Sequence, residues 1–379
     1  MDVTVVGGGP VGMWVAKQIA EAGFETTVLE EDRKIGRPVR CAGLVSPRVV
    51  SKTDTDSTIM KASKAIIHPP QGEPLVLDAP EEKAYVIDRG RFDREMAEKA
   101  SNAGAHIELD AKVLDTVFSS RRKLRYQQEG KEKHVLSDLV IGADGPHSIM
   151  RKTTSLPGPK ELLVGMQAIV AEDVKDISIF LGNDVSPDFF GYELPHTSGS
   201  LVGVGSSDGH AYEHLKRLIK RRGFENDILG YSAGTIPLGR MRESVRDGLM
   251  LVGDASCQVK PLSGGGLYPG LHSADICAEV AISALEDNDT SKERLQEYHD
   301  RWQSDIGSEI SKGMWMRRIF KNMSDEDLSK ILGSLKNEKV KRVVEIVGDI
   351  DYPSTLAKPV LKASPKLIKF AGPMIKNIF

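Results

Sequence analysis

The first thirty residues leave this chain little choice of fold. Asp2-Val3-Thr4-Val5-Val6 reads as a buried strand and runs directly into Gly7-Gly8-Gly9-Pro10-Val11-Gly12. A helical pattern from Met13 to Gly23 follows, and a second apolar run, Thr26-Thr27-Val28-Leu29, ends on Glu30. Strand, glycine turn, helix, strand and acid in this order make a dinucleotide-binding βαβ unit, with Glu30 placed 21 residues beyond Gly9. Gly7, Gly9, Pro10 and Gly12 are its cofactor-facing positions. Gly7 permits the tight turn, Gly9 lets a pyrophosphate approach the backbone, and Gly12 lets the helix pack closely on the strand. The helix N-terminus then offers free N–H groups and a partial positive charge to the phosphates. Glu30 can accept hydrogen bonds from both ribose hydroxyls and would repel a 2′-phosphate. By itself the unit does not separate FAD from NAD, and a glycine-rich turn without a ligand is the plainer alternative.

A chain of 379 residues can bury a large core and is expected to form two domains with a terminal appendage. Its net charge of −3 supplies no reason to expect a nucleic-acid partner. Cys41, Cys257 and Cys277 form neither a CxxC pair nor a disulfide framework, so a reducing cytoplasm is expected. The chain opens on a strand without a signal-type apolar stretch, no run of 18 apolar residues occurs, and no metal site is expected.

Residues 62 to 88 read as short strands of a second sheet, and Arg89 to Gly104 as a helix with Phe92, Met96, Ala97 and Ala100 on one face. Residues 106 to 137 read as a strand and a hairpin, closing on Asp138-Leu139-Val140-Ile141 and the tight turn Gly142-Ala143-Asp144-Gly145. Residues 162 to 207 are again rich in strands, and His210 to Arg222 is a basic helix. The strand Leu249-Met250-Leu251-Val252 leads into Gly253-Asp254-Ala255, then Gly264-Gly265-Gly266, then a long apolar helix. The expected fold is α/β. A discontinuous Rossmann-like nucleotide-binding domain (1–60, 89–155 and 240–290) accompanies a mainly antiparallel β substrate domain (61–88 and 156–239) and a helical C-terminal region (291–379).

Three glycine and aspartate signatures thus occur in order: Gly7 to Gly12, Gly142 to Gly145, and Gly253-Asp254. In this order they resemble the flavoprotein hydroxylase superfamily that includes p-hydroxybenzoate hydroxylase. Within it the chain is most similar to the geranylgeranyl reductase family, of the archaeal digeranylgeranylglycerophospholipid reductase type. That likeness rests on Pro38-Val39-Arg40-Cys41, Arg89-x-Arg91-Phe92-Asp93, Gly142-Ala143-Asp144-Gly145-x-x-Ser148, and Gly253-Asp254-Ala255 leading to Gly264-Gly265-Gly266. It covers about the first 290 residues and implies FAD as cofactor.

The residues can be weighed beside the resemblance. Asp254 ends an apolar strand where a carboxylate can accept from ribityl hydroxyls, with a helix cap as the alternative. Gly264, Gly265 and Gly266 open a helix whose dipole can face the flavin N1/C2 edge. Asp144 and Gly145 are expected near the pyrophosphate or as a structural turn. Arg40, Ala42 and Arg91 are candidate cofactor contacts, and Arg89 another. The resemblance places Cys41 at the active site, where Arg40 would hold a cation beside the thiol; a small packed residue is the alternative. Tyr192 belongs to an aromatic segment, Phe189-Phe190-Gly191-Tyr192-Glu193-Leu194-Pro195, similar to the family's substrate-sheet motif, although Glu193 and Leu194 replace a tryptophan and a phenylalanine. Ala42-Gly43-Leu44 likewise departs from the glutamate-containing turn usual after the cysteine.

The activity implied is reduction of isoprenoid C=C bonds of geranylgeranyl-type lipids or related prenyl compounds. Hydride would come from reduced flavin and a proton from Cys41 or water. Gly203-Val204-Gly205 with Gly209 is off by one from a second fingerprint, so an external donor (NADPH, NADH or ferredoxin) is expected to dock transiently. A flavin-dependent aromatic hydroxylase or monooxygenase on the same fold is one alternative; a non-catalytic flavin- or lipid-binding protein is another. Near the C-terminus, Lys362, Lys366, Lys369 and Lys376 fall within roughly an 80° arc opposite Leu367, Phe370 and Met374. A basic amphipathic tail of this kind either lies on the inner membrane face or docks on the protein.

Overall fold

The strand Asp2–Val6 lies inside a six-stranded sheet, paired in parallel with Leu139–Gly142 on one side and Glu25–Leu29 on the other. Leu249–Leu251 and His106–Glu108 extend the parallel order outward, and Val245–Arg246 adds an antiparallel edge. Val5, Leu139, Val140, Ile141, Leu249, Met250 and Leu251 are all fully buried, as near-continuous apolar strands covered on both faces must be. This is a computed structural model, and it describes residues 1–367. The helix Pro10–Glu21 packs against both Arg89–Asn102 and Leu267–Glu286. Trp14 Nε1 donates to Asp275 Oδ1 across 2.7 Å, tying the first helix to the last of these three.

A seven-stranded sheet stands beside it in the order Ile228–Leu238, Glu161–Val170, Gly199–Ser206, Gly191–His196, Ile177–Phe180, Lys64–His68, Leu75–Asp78. All of its pairings are antiparallel except that between Ile177–Phe180 and Lys64–His68. The helix Ala211–Arg222 covers one face, burying Leu215, Leu218 and Ile219 against Ala168, Val170, Val202 and Val204. The region around 62–88 divides between two sheets. Lys64–His68 and Leu75–Asp78 join the large one, while Ala84–Ile87 forms the centre of a small one, paired antiparallel with Leu44–Val45 on one side and Thr58–Ala62 on the other. Ala111–Phe118, Arg122–Gln128 and Lys131–Ser137 form a separate meander.

C-terminal helices brace these parts. Arg317, from Ile306–Phe320, is fully buried and bonds Glu161 Oε1 at 2.9 Å and Asp188 Oδ2 at 3.1 Å, both belonging to the second-sheet region. Lys260 reaches Asp351 at 2.8 Å. Among the described residues no helix is long and apolar enough to cross a membrane. Lys362 ends the helix Ala357–Ala363, but Lys369 and Lys376, and with them most of the expected amphipathic tail, lie outside the described residues.

Candidate active site

The glycine turn is built by close approach. Gly7 has φ +105°, and a β-carbon there would sit 2.4 Å from the carbonyl oxygen of Ala143. One on Gly12 would sit 2.2 Å from the Gly7 oxygen, so neither position tolerates a side chain. At Gly9 the same construction meets nothing within 4 Å, leaving open space before the helix. Gly9 is the N-cap and Pro10 begins the helix, with no side chain bonded to the cap. Glu30 accepts from the Gly8 N–H at 2.5 Å and the Asp32 N–H at 2.8 Å, which fixes its carboxylate beside the turn. Burial pushes its pKa up, against the lowering effect of those two bonds.

The neighbouring turn works differently. Asp144 Oδ1 accepts from Ser148 Oγ at 2.6 Å, while Oδ2 accepts from the N–H groups of Ile149 at 2.7 Å and Met150 at 3.0 Å. Its carboxylate therefore caps a short helix, and the place left open toward a ligand is Gly145, with φ +73° and nothing within 4 Å of an added β-carbon. Arg151, not anticipated from sequence, is buried and donates to Ala255 O at 2.9 Å, holding this turn to the one that carries Asp254.

Asp254 is the one acid of the site that no protein donor reaches: among the described residues its carboxylate has no hydrogen bond. Burial raises its pKa to about 6, with the Arg89 charge opposing the rise. A β-carbon on Gly266 would stand 2.7 Å from Asp254 Oδ1, so Gly264–Gly266 runs against this acid. Gly253 (φ +67°) and Gly264 (φ +70°) both need the left-handed region. Gly265 leaves room for Lys260, whose Cε would be 2.9 Å from a β-carbon there. Gly266 caps the helix Leu267–Glu286 without a side-chain bond. An unpartnered, half-buried acceptor beside an uncapped helix N-terminus suits the hydroxyls and carbonyl edge of a flavin. The residues present fit FAD.

Cys41 is half-buried, and its cationic neighbour is Arg89, not Arg40 as expected. Arg89 lies close enough for its charge to interact with Cys41, and it pairs with Asp93 at 3.1 Å. Although burial would lower the Arg89 pKa, the charges of Asp93 and Cys41 raise it overall. Arg40 is exposed, its carbonyl resting against Gly234 of the second sheet, where a β-carbon would come within 2.9 Å. The residue before the cysteine turns away from the thiol, while a helix start distant in sequence supplies the guanidinium. Arg91 is held at the surface by Asp56 at 2.6 Å and Glu95 at 2.8 Å, so Arg89 is the inward residue of the pair.

Tyr192 faces the same place from the second sheet. Burial raises its pKa, and the charge of Cys41 adds to the rise. Its hydroxyl donates to Gln167 Oε1 at 2.8 Å. Its ring fills the space a side chain at Gly203 would take, a β-carbon there lying 2.3 Å from Tyr192 Cζ. Gly205 makes room in the same way for Phe189, which also lies against Gly264. Gly203 and Gly205, two of the glycines that imitate a second fingerprint, are thus slots for aromatic rings, and the register Tyr192↔Gly203 makes this visible. Ala42 packs in the same cluster as Tyr192 and Leu194. Glu193, one residue on, faces the opposite side and is buried in a 2.8 Å ion pair with Arg222, so that departure from the motif does not line the site. Cys257 and Cys277 are buried in the main core.

Residues 1–305 match the FAD binding domain family. The chain is 31% identical over 363 residues to the digeranylgeranylglycerophospholipid reductase of Methanothrix thermoacetophila, covering 90% of this chain and 93% of that protein. It is also 31% identical to digeranylgeranylglycerophospholipid reductase 2 of Methanopyrus kandleri, over 99% of each chain. The fold superposes on the crystal structure of a geranylgeranyl bacteriochlorophyll reductase-like protein from Thermoplasma acidophilum with a TM-score of 0.89, at 23% identity, covering 100% of this chain and 99% of that one.

Proposed function

Since the chain belongs to the FAD binding domain family, among the archaeal digeranylgeranylglycerophospholipid reductases, we propose that it saturates C=C bonds in the geranylgeranyl chains of a glycerophospholipid. The observation that carries this reading is the meeting of Asp254 and Gly264–Gly266 with Cys41, Arg89 and the aromatic segment around Tyr192. FAD, when bound and reduced, supplies the hydride for one alkene carbon. The glycine turn and Glu30 would hold its adenosine diphosphate end, Asp254 would accept from its ribityl chain, and the helix beginning at Leu267 would offer its dipole to the ring.

An isolated alkene has no carbonyl to polarise, so the protein's own contribution is position, dryness and a proton. Phe189, Ile236 and Gly264 close the apolar wall. Cys41 holds the proton for the second carbon, with Arg89 stabilising the thiolate left behind. Tyr192 is a wall and an orienting residue, because its hydroxyl proton is already directed to Gln167. The two electrons would be returned from outside the chain, by one reduced pyridine nucleotide or by two one-electron transfers from ferredoxin. Contact of the basic C-terminal segment with the membrane face would bring the enzyme to its substrate.

Anaerobic mixing of the reduced holoprotein with digeranylgeranylglycerophospholipid tests this. Flavin oxidation should coincide with a mass gain of two hydrogen atoms per bond reduced. An oxygenated product in air, with no saturated lipid, would transfer the chain to the hydroxylases; flavin that stays reduced in the presence of lipid would point to a binding protein.

A further inference from the structure

Away from the flavin site, a cavity of about 450 Å³ opens between the start of the strand Glu161–Val170, the segment 240–242 and the helices Lys292–Ser304 and Ile306–Phe320. Lys160, Arg240, Arg242 and Arg318 line its polar side, and Trp315 and Met314 are among its apolar residues. Arg240 bonds only neutral partners, Gln303 Oε1 and Ser311 Oγ. Lys160, Arg242 and Arg318 have no ion-pair partner among the described residues. The carboxylates that adjoin them in sequence are engaged elsewhere. Glu161 faces Arg317 at 2.9 Å and Lys321 at 2.8 Å. Glu243 faces Lys292 at 2.7 Å and Arg246 at 2.9 Å.

All four cations are exposed to solvent around one hollow, where their like charges add to a local positive field. A chain that needed only solvated charge here could have paired Lys160 or Arg242 with an adjoining acid. Guanidinium forks match phosphate oxygens in paired hydrogen bonds. Trp315 and the methionines offer surface to an apolar or aromatic continuation. We propose that this cavity binds the phosphate or diphosphate group of an amphiphilic or aromatic ligand. The two sources of that chemistry are the phosphoglycerol head of a lipid and the diphosphate of a reduced pyridine dinucleotide. Met314 also belongs to the apolar cluster of Phe189, Ile236 and Val259 that backs Gly264, so the cavity shares a wall with the flavin site. The inference rests on this lining and not on the reductase reading.

The test reads binding to the FAD-loaded protein by calorimetry, with inorganic pyrophosphate as probe at low ionic strength. Saturable binding is expected, weakened at least about tenfold by Arg242→Glu with Arg318→Glu and retained by Arg242→Lys with Arg318→Lys. The flavin spectrum should be unchanged in both. If the glutamate pair loses flavin, the milder Lys160→Gln with Arg318→Gln serves the same comparison. Displacement of pyrophosphate by NADPH assigns the cavity to the electron donor, displacement by digeranylgeranylglyceryl phosphate assigns it to the lipid head, and displacement by neither overturns the amphiphilic or aromatic ligand. No saturable binding, or an affinity indifferent to the charge reversals, overturns the proposal whether or not the protein reduces lipids.

Discussion

The Arg89 guanidinium stands beside Cys41, although it comes from the first turn of a helix that begins 48 residues further along the chain. The same guanidinium is paired with Asp93 and lowers the cost of burying Asp254. One cation therefore serves the residue read as proton donor and the acid read as flavin ligand.

Replacing Cys41 with serine should leave FAD bound and slow lipid reduction about a hundredfold, the scale of a lost general acid. Single-turnover reoxidation of the flavin by lipid measures it. A rate equal to that of the parent protein would return Cys41 to a packing role.

Asp254 gives the flavin-free protein a defined pH dependence. Its folded value of about 6 lies above the about 3.9 of an unfolded carboxyl. Below the lower value both states are protonated and the residue has no effect. Between the two, the folded state keeps a proton that the unfolded chain has lost, so stability falls as pH rises, by at most about 3 kcal/mol, and stays lower above 6. Asp254→Asn should remove this decline and also weaken FAD binding. Urea titrations of both flavin-free proteins at pH 4.5 and 7 would show the difference; parallel behaviour would contradict it.

Glu30→Ala strips the acceptor from the Gly8 and Asp32 N–H groups as well as from the ribose. The FAD dissociation constant should rise at least about tenfold, from the loss of roughly 1.5–3 kcal/mol per charged hydrogen bond partly replaced by water. Glu30→Gln should fall between. Fluorescence titration of the flavin-free proteins reads both, and an unchanged constant would detach Glu30 from the cofactor.

Gly203→Ala places a methyl 2.3 Å from Tyr192 Cζ, so the ring must leave its bond to Gln167. Overpacking of this kind costs about 1–3 kcal/mol. Because Tyr192→Ala removes the clash, the double substitution should be much less destabilising than the sum of the singles. Simple additivity in thermal melts would mean that Gly203 is not there for the ring.

Arg317→Met leaves Lys321 as the cation facing Glu161 and Asp188, with Ser206 and Ser207 still bonded to Asp188, and breaking a buried network of this type costs about 3–5 kcal/mol. Although burial by itself would raise the Glu161 pKa, bonds from Arg317 and Lys321 hold it down to about 2. The stabilisation from this acid is therefore complete above about 4.3, the ordinary glutamate value, and is lost as pH falls toward 2. Acid unfolding curves of parent and variant should converge at low pH; a constant gap would assign the effect to packing.

The parallel sheet and its glycine turns were legible because their rules are local. A strand followed by Gly7, Gly9 and Gly12 must bend and pack in one way, and the steric clashes at Gly7 and Gly12 show why. The aromatic segment was legible as composition but not as geometry. Alternation sends Glu193 away from the site and Tyr192 into it, and cross-strand register alone pairs Tyr192 with Gly203. Asp144 was singled out for its motif, yet its carboxylate oxygens are occupied by capping a helix.

By itself the sequence determined the nucleotide-binding sheet and the FAD signatures, since each follows from backbone constraints within a few positions. Tertiary structure alone decided the partners: Arg89 and not Arg40 beside Cys41, Asp254 left without a protein donor, and four cations turned toward one cavity. Those outcomes depend on which distant elements meet, and electrostatic and steric complementarity across such a junction is a property of packing that no local spacing encodes.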